Sequence, residues 1–589
     1  MNLLPYGDRA LLVECDGLAS AQRAYRLLTE HRLDGVRELV PGGRSVLVRI
    51  DPRAVGLTHL AHWVQGVLER PGEAGTESTA GTTRSSGEAA GGGAVRIPVV
   101  YDGEDLATIA AAWGCSVDEV VARHAASDWV CAFVGFAPGF PYLVPVTTGA
   151  ESAPLPLVPR RATSRARVPA GSVALAGEYC GVYPRESPGG WQLIGRTEAV
   201  LWDARRDPPA LVTSDTHVRF EAVRQVVRAV SQELSDATAA DTGFGGGADG
   251  RTPEKRHGHA SEVGRVDAGG RAEAEGRVDA GRRTAADGRA IGDEKAAAVR
   301  VLEPGALMLV QDLGRPGLAA IGVGASGAFD RAAHRLANRL VGNDESAAGL
   351  EVLVGGTALA LPAGTWIAVT GADGPVTLDD APVTLAHPVR AERDGAVVRI
   401  GPATRGVRYC VAVRGGIAPE PVLGSRSRDT LAALGPDPVS AGDELIVGDV
   451  VTGPVPAVDL VPVDASVTDH AELDVRPGPR LDWFTPDAWH RMLDAEWTVS
   501  VRADRTGVRL DGPSLDRRPA VVDRELASEG MTAGAIQVSP DGVPTILGPD
   551  HPVTGGYPVI AVVTDDTLDR LAQLRPGGRV RLRLATGRP

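Results

Sequence analysis

Pro169-Ala-Gly-Ser-Val173, followed after a short interval by Pro188-Gly-Gly-Trp191, returns in the second half as Thr532-Ala-Gly-Ala-Ile536 followed by Thr554-Gly-Gly-Tyr557. A small-residue turn, a β-type run and a Gly-Gly-aromatic loop thus occur once in each half. The repeat predicts two related β-barrels, one per half.

Just upstream of the first copy stands Gly135-Phe-Ala-Pro-Gly-Phe-Pro-Tyr-Leu143. Pro138 and Pro141 remove amide donors and restrict the residues before them, so no regular helix forms here. The stretch reads as a shaped loop carrying Phe136, Phe140 and Tyr142. It is either a rigid aromatic corner between strands or a surface where a ligand or partner approaches the backbone closely.

Working outward, residues 1–70 contain two β-like runs, Asp8-Arg-Ala-Leu-Leu-Val-Glu14 and Ser45-Val-Leu-Val-Arg-Ile50, around a helical pattern over 19–31. They predict a small α+β domain. Residues 71–94, rich in Gly, Ser, Thr, Ala and Glu, predict a flexible insert. Residues 95–234 alternate short β-branched runs with turns, and only 106–113, 117–124 and 219–234 look helical. Residues 235–297, in which Gly264-Arg-Val-Asp-Ala-Gly269 recurs as Gly276-Arg-Val-Asp-Ala-Gly281, predict a disordered linker. Residues 298–589 are β-rich with frequent turn signals and one helical pattern over 330–340, and divide into two subdomains. The fold class expected is therefore mainly β, with an α+β N-terminal domain.

At 589 residues the chain exceeds a single core, and its formal charge of -14 argues against a nucleic-acid surface or an anionic membrane as the main partner. A small-molecule ligand is expected. Neither an eighteen-residue apolar run nor a signal-peptide pattern is present, which predicts a cytosolic protein without membrane association. Cys15, Cys115, Cys131, Cys180 and Cys410 form no Cys-x-x-Cys pair and read as reduced core residues. The only lysines, Lys255 and Lys295, lie in the low-complexity linker, so the folded parts hold no P-loop lysine, Schiff base or biotin attachment site.

Three constellations can carry chemistry. The first is Arg160, Arg161, Arg165 and Arg167 with Tyr183-Pro-Arg-Glu-Ser187 and Gly189-Gly190-Trp191. Arginine forks and exposed glycine amides suit a carboxylate or phosphate, although arginine clusters also serve as solvated faces. The second is Val310-Gln-Asp-Leu-Gly-Arg-Pro-Gly317 with Gly322-Val-Gly-Ala-Ser-Gly-Ala-Phe-Asp330. Its amides could face an anion, but its spacing fits neither the Walker nor the Rossmann pattern, and Asp330 is expected to cap a helix. In the third, Asp550-His551 precedes Thr554-Gly-Gly-Tyr557, and the pair reads either as acid and base or as structural.

Gly135–Leu143, Pro159-Arg-Arg161, Val168–Val173 and Glu186–Thr197 resemble the B subunit of 5-oxoprolinase, also described as allophanate hydrolase subunit 1. Val310–Gly317, Ser326–Asp330, Arg335–Asn338, Leu340–Asn343, Leu423–Ser427, Ser528–Gly530, Gly534–Gln537 and Thr554–Pro558 resemble the C subunit of the same enzyme, or allophanate hydrolase subunit 2. The chain resembles a fusion of the two, related also to urea amidolyase. The resemblance implies cyclophilin-like β-barrels in both halves and ATP-dependent opening of 5-oxo-L-proline to L-glutamate through phosphorylation of the lactam. It implies work with a separate polypeptide, the A subunit of 5-oxoprolinase, and ATP and magnesium as cofactors; assembly with further copies of the chain stays open. Homologous modules form the carboxyltransferase part of urea carboxylase, and others resemble a regulator of a histidine kinase, so both roles stand as alternatives. The chain departs from the pattern at Glu178-Tyr-Cys180, at Arg185 and at His551-Pro-Val553, the last counting against a catalytic His551.

Asp550, Glu186 and Asp312 are the carboxylates expected in catalytic roles. Arg160, Arg161, Tyr183, Ser187, Gly189, Gly190, Trp191, Gln311, Arg315, Ser326, Thr554, Gly555, Gly556 and Tyr557 are expected to bind substrate or nucleotide, with no protein-held metal site. The loop over 135–143 is then expected to shape a cleft between the halves.

Overall fold

The computed structural model describes residues 1–70, 94–146, 155–161, 163–224, 297–457 and 470–586. Residues 71–93 of the insert expected over 71–94, and residues 235–296 of the linker expected over 235–297, lie outside them.

The N-terminal sheet has the antiparallel order Asn2–Tyr6, Ala10–Glu14, Ser45–Ile50, Val36–Pro41. Helices Leu18–Glu30 and Leu57–Leu68 cover one face, where Leu11, Val13, Val46 and Val48 meet Ala24, Leu28, Leu60 and Val64. The opposite face is also buried. Tyr6, Ala10, Leu12, Val40 and Leu47 pack on Met531, Ala535, Leu547, Val559 and Val562, which belong to the far end of the chain. The continuous run Ala10-Leu-Leu-Val13 reflects this two-sided burial, since a half-exposed strand would alternate.

The first barrel orders its seven strands Gln192–Arg196, Ser172–Ala176, Tyr179–Val182, Pro141–Pro145, Asp128–Val134, His217–Ala222, Val95–Val99. A bridge from Val100 to Arg196 brings its ends together. The second is closed in the order Val559–Val563, Ala535–Val538, Pro544–Leu547, Gly507–Asp511, Glu496–Val499, Arg579–Leu584, His470–Pro477. The two orders are the same when counted along the chain. Each barrel pairs its first strand in parallel with its last, and all other neighbours are antiparallel. The repeated turns coincide as well: Gly171 and Gly534 have φ of +79° and +82°, and Ser172 and Ala535 donate back to Pro169 and Thr532. A side chain at either glycine would meet the left-handed strain that glycine avoids.

One helical expectation is corrected. Residues 217–222 form a strand, because Val218 and Phe220 point into the barrel while His217, Arg219 and Glu221 are exposed. That alternation is the strand period. The remainder of the helix expected over 219–234 lies outside the described residues beyond 224.

Between the barrels in sequence, residues 298–446 form a six-stranded and a five-stranded sheet packed around Val301, Leu350, Leu359, Ile367, Val398 and Val411. Helix Arg331–Leu340 flanks them, and Asp330 caps it by accepting from the Ala333 amide at 2.8 Å. Polar contacts, among them the following, tie the N-terminal domain to the second half. Glu38 Oε1 accepts from the Gly317 and Ala319 amides at 3.0 and 3.1 Å. Arg9 pairs with Asp565 and donates to the Ala533 and Val563 carbonyls. Buried Arg480 joins Glu14 to Glu529.

Candidate functional site

The loop over 135–143 lies along the seam between the halves. Its Phe136 amide donates to Thr554 Oγ1 at 2.8 Å, and its Gly139 amide donates to the Ile321 carbonyl at 3.0 Å. A Cβ on Gly322 would stand 2.2 Å from the Ala137 carbonyl, so only glycine permits this approach. Behind the loop, Phe140 meets Trp191, Tyr183 and Tyr142 edge to face at 5.1–5.4 Å. The loop is therefore an aromatic corner, and what approaches its backbone closely is the other half of the same chain.

Gly189 and Gly190 sit beside this aromatic cluster. A Cβ on Gly189 would lie 2.2 Å from the Tyr183 hydroxyl, and Ser187 is held in a short ladder with Val168. Thr554 and Gly555 form the equivalent ladder in the second barrel, with Gly530 and Glu529. Gly556 faces Arg160, whose Nη1 would lie 3.4 Å from a Cβ there, while Tyr557 is exposed. Arg160 pairs with Glu525 at 3.7 Å across the seam. Arg161 and Arg165 are committed elsewhere: both donate to Asp105, which also accepts from the Leu193 amide. The Arg161 amide donates to the Gly190 carbonyl at 2.9 Å, so this cluster holds the Gly-Gly loop in place. Glu186 lies at the surface with both oxygens taken by Arg167.

A second group gathers around the loops over 311–330 and 423–430. Asp312 accepts from the Gly314 and Arg426 amides and from the Ser425 and Ser427 hydroxyls. Asp550 accepts from Ser326 Oγ at 2.6 Å, from the Thr430 amide and hydroxyl at 2.9 and 2.7 Å, and from two nitrogens of Arg505. Both carboxylates have their acceptor sites filled, which suits them to positioning loops. Burial pushes the Asp550 carboxyl up, but Arg505, Ser326 and Thr430 outweigh it and hold the group below the usual carboxylate range. Its neighbour His551 is buried, with Nδ1 2.8 Å from the Pro552 carbonyl, and burial lowers its pKa to about 4. The imidazole is therefore neutral and committed to the backbone.

Some polar groups here remain unmatched among the described residues. Gln311 donates to the Arg428 carbonyl, but its buried Oε1 has no donor. Arg315 donates to the Val422 and Ser427 carbonyls and leaves Nη1 without an acceptor. Arg185 reaches this group from the first barrel, with a buried Nε that also lacks an acceptor.

Asp429 completes the group. It is 2 % exposed, and its Oδ1 accepts from the Ala432 amide at 2.7 Å. Burial, and then the nearby Asp550, raise its pKa to about 6. Neither Asp429 nor Arg505 belongs to the residues expected from sequence. Their only local signals are the position of Asp429 two residues past the Leu423–Ser427 motif and the glycine loop over 322–327 that faces it.

A separate cleft of about 380 Å³ lies between the N-terminal domain and the second barrel, lined by Glu14, Arg44, Arg480, Trp483, Arg524 and Glu529 among others. No group of three or more His, Cys, Asp or Glu side chains among the described residues is arranged to hold a metal, and none of their helices is long and apolar enough to cross a membrane.

Comparison with known proteins places these halves. Residues 1–212 match the family model "Carboxyltransferase domain, subdomain C and D", and residues 321–584 match "Carboxyltransferase domain, subdomain A and B". The first half is 38% identical to the B subunit of 5-oxoprolinase from Escherichia coli O157:H7 over 224 residues, covering 36% of this chain and 92% of that protein. The second is 32% identical to the C subunit of 5-oxoprolinase from Escherichia coli K12 over 293 residues, covering 47% of this chain and 88% of the relative. The crystal structure of TTHA0988 superposes with a TM-score of 0.73 at 28% identity and covers 98% of this chain and 99% of its own.

Proposed function

Because the chain belongs to the carboxyltransferase-domain family of the 5-oxoprolinase B and C polypeptides, joined in that order, we propose that it opens 5-oxo-L-proline to L-glutamate in the cytosol, with ATP and the separate A polypeptide of that enzyme. The observation that supports the reading is the seam itself. The first-half barrel and the second-half barrel share one topology, the loop over 135–143 joins them through Phe136 and Thr554, and Gly556 of the second half faces Arg160 of the first.

A lactam resists hydrolysis because amide resonance lowers the electrophilicity of its carbon. Transfer of the ATP γ-phosphoryl group to the carbonyl oxygen releases ADP and leaves an electrophilic imidate carbon. One water adds there, the ring C–N bond breaks with the nitrogen taking a proton as the free amine, and a second water cleaves the resulting acyl phosphate to glutamate and phosphate. In this reading Arg160 and the amides of Gly189, Gly190, Gly555 and Gly556 bind the anionic groups. Tyr557 lines the approach, buried Tyr183 and Trp191 back the Gly-Gly loop, and Arg161 and Ser187 hold it. Asp312, Asp550, Gln311 and Ser326 shape the second group, where Arg315 presents its uncommitted Nη1; exposed Glu186 has the weakest geometric case for catalysis. With the Asp312 and Asp550 oxygens occupied, magnesium would enter chiefly through nucleotide phosphates and water.

The matching domain models carry the name carboxyltransferase, which favours a second reading: transfer of a carboxyl group in a urea carboxylase-type system, with biotin supplied on another protein. One assay separates the two. The chain is mixed with the A polypeptide of 5-oxoprolinase and offered 5-oxoproline, urea or allophanate, with and without ATP. Glutamate released only with 5-oxoproline and ATP is the expected result; no turnover of 5-oxoproline under any condition would overturn the first reading.

A further inference from the structure

Arg185 and Arg315 arrive from opposite halves of the chain and leave guanidinium nitrogens without acceptors beside Asp429. Arg185 Nε and Arg315 Nη1 are themselves buried atoms, so bulk water does not satisfy them. Both arginines feel the Asp429 charge, yet neither forms an ion pair with it or with any other carboxylate among the described residues. Asp429 uses Oδ1 to accept from the Ala432 amide, and its Oδ2 faces the space beside Gly324. Room exists next to it: a Cβ added to Gly324 would meet only the His551 carbonyl at 3.5 Å and Asp429 Oδ2 at 3.8 Å, both ordinary contacts.

A buried donor left unmatched is destabilising, so two that share the influence of one carboxylate indicate a missing acceptor. Both donors are cationic, and an oxyanion is the acceptor such forks hold best. Asp429 would repel that anion when ionised, but when protonated it can donate through Oδ2–H to a third oxygen. We propose that Arg185, Arg315 and protonated Asp429 form an oxyanion site across the seam, assembled only when both halves are present. The proposal deepens the reading above and depends on it solely for the identity of the physiological anion.

The charged groups acting on Asp429 support this use. Asp550 and burial favour its protonated form, while Arg315 and Arg505 oppose it; Arg185 approaches from the first barrel and Arg428 precedes it in the chain. Its pKa of about 6 places the change within an accessible pH range. His551 stays neutral throughout that range, so it adds no titration of its own.

The test uses the full chain alone, without other polypeptides or substrate, and sulfate as the probe, because sulfate does not itself titrate near neutrality. Titration calorimetry at constant ionic strength should give binding at pH 5.5 that weakens about tenfold or more by pH 8. Arg185→Ala should weaken binding at pH 5.5 by about tenfold or more, the loss of a charge-assisted bond. Asp429→Asn, which keeps a donor and removes the charge, should bind sulfate equally at both pH values. Gly324→Val should block binding by filling the space. Unchanged melting temperatures would show that the Arg185 and Gly324 variants remain folded. Sulfate affinity that is the same at pH 5.5 and 8 in the unaltered chain, or that survives Arg185→Ala, would overturn the proposal. Failure of 5-oxoproline turnover with intact sulfate binding would instead count against the reaction alone.

Discussion

The backbone amide of Phe136 donates to the Thr554 hydroxyl at 2.8 Å, joining two residues 418 positions apart and fastening one barrel to the other. Gly135 makes the approach possible, because a Cβ there would lie 2.6 Å from Thr554 Oγ1 and 2.8 Å from Cγ2. Gly135→Ala should therefore destabilise the protein by about 1–3 kcal/mol, an overpacking cost. Adding Thr554→Ala should recover part of it by opening that space. Urea unfolding of the two single variants and the double variant measures the coupling; strictly additive losses would refute a contact of this kind.

Arg505 is buried and joins Asp550 of the second barrel to Glu351 of the middle sheets. Arg505→Met removes the cation and leaves two buried carboxylates facing each other without it. A loss of about 3–5 kcal/mol is expected. Chemical denaturation checks this, and a loss under about 1 kcal/mol would mean that the carboxylates find other donors.

His124 is enclosed by Trp129 and Phe220, with Nδ1 2.7 Å from the Tyr101 hydroxyl. Burial lowers its pKa from 6.5 to about 3. The sign follows from proton uptake: below pH 6.5 the unfolded chain binds a proton that the folded chain refuses. The associated stability is present above pH 6.5 and is lost as pH falls toward about 3. His124→Phe keeps a ring and removes the titration. Between pH 6.5 and 5 the unaltered protein should lose about 1.5 kcal/mol more than the variant. Urea midpoints at the two pH values give the difference; equal slopes would place the proton uptake elsewhere.

The N-terminal domain packs on the second barrel through a buried apolar face and through Glu38, which accepts from the Gly317 and Ala319 amides. A protease site inserted between residues 235 and 290 and cut in the folded protein should leave two fragments that co-elute on size exclusion. Glu38→Ala should weaken their association by about tenfold or more, since two buried amides lose their acceptor. Fragments that separate immediately would show that the covalent connection holds the halves together.

Much of the fold could be read directly. The turn around Gly171 and its copy around Gly534 occupy the same place in two barrels of one topology, and helices at 106–113, 117–126 and 331–340 follow local periodicity and capping. Residues 219–222 misled because Val223 and Val226 continue an apolar spacing compatible with a helix. The barrel overrides it by offering ladder partners on both sides, Val95–Val99 and Asp128–Val134.

The candidate site was legible only in part. Asp312 and Asp550 sit in the second group, but their oxygens are filled by Ser425, Ser427, Ser326, Thr430 and Arg505, so the local motif reveals the residue and not its vacancy. Arg185 shows the reverse: marked in sequence only by its place in Tyr183–Ser187 and as a departure from the family pattern, it keeps a buried Nε without an acceptor in the fold. Local pattern determined which segments become strands, turns and helices, because propensity, periodicity and glycine conformations act over a few residues. Tertiary structure alone decided which charges are neutralised and which stay available, because burial and hydrogen-bond partners come from residues hundreds of positions away.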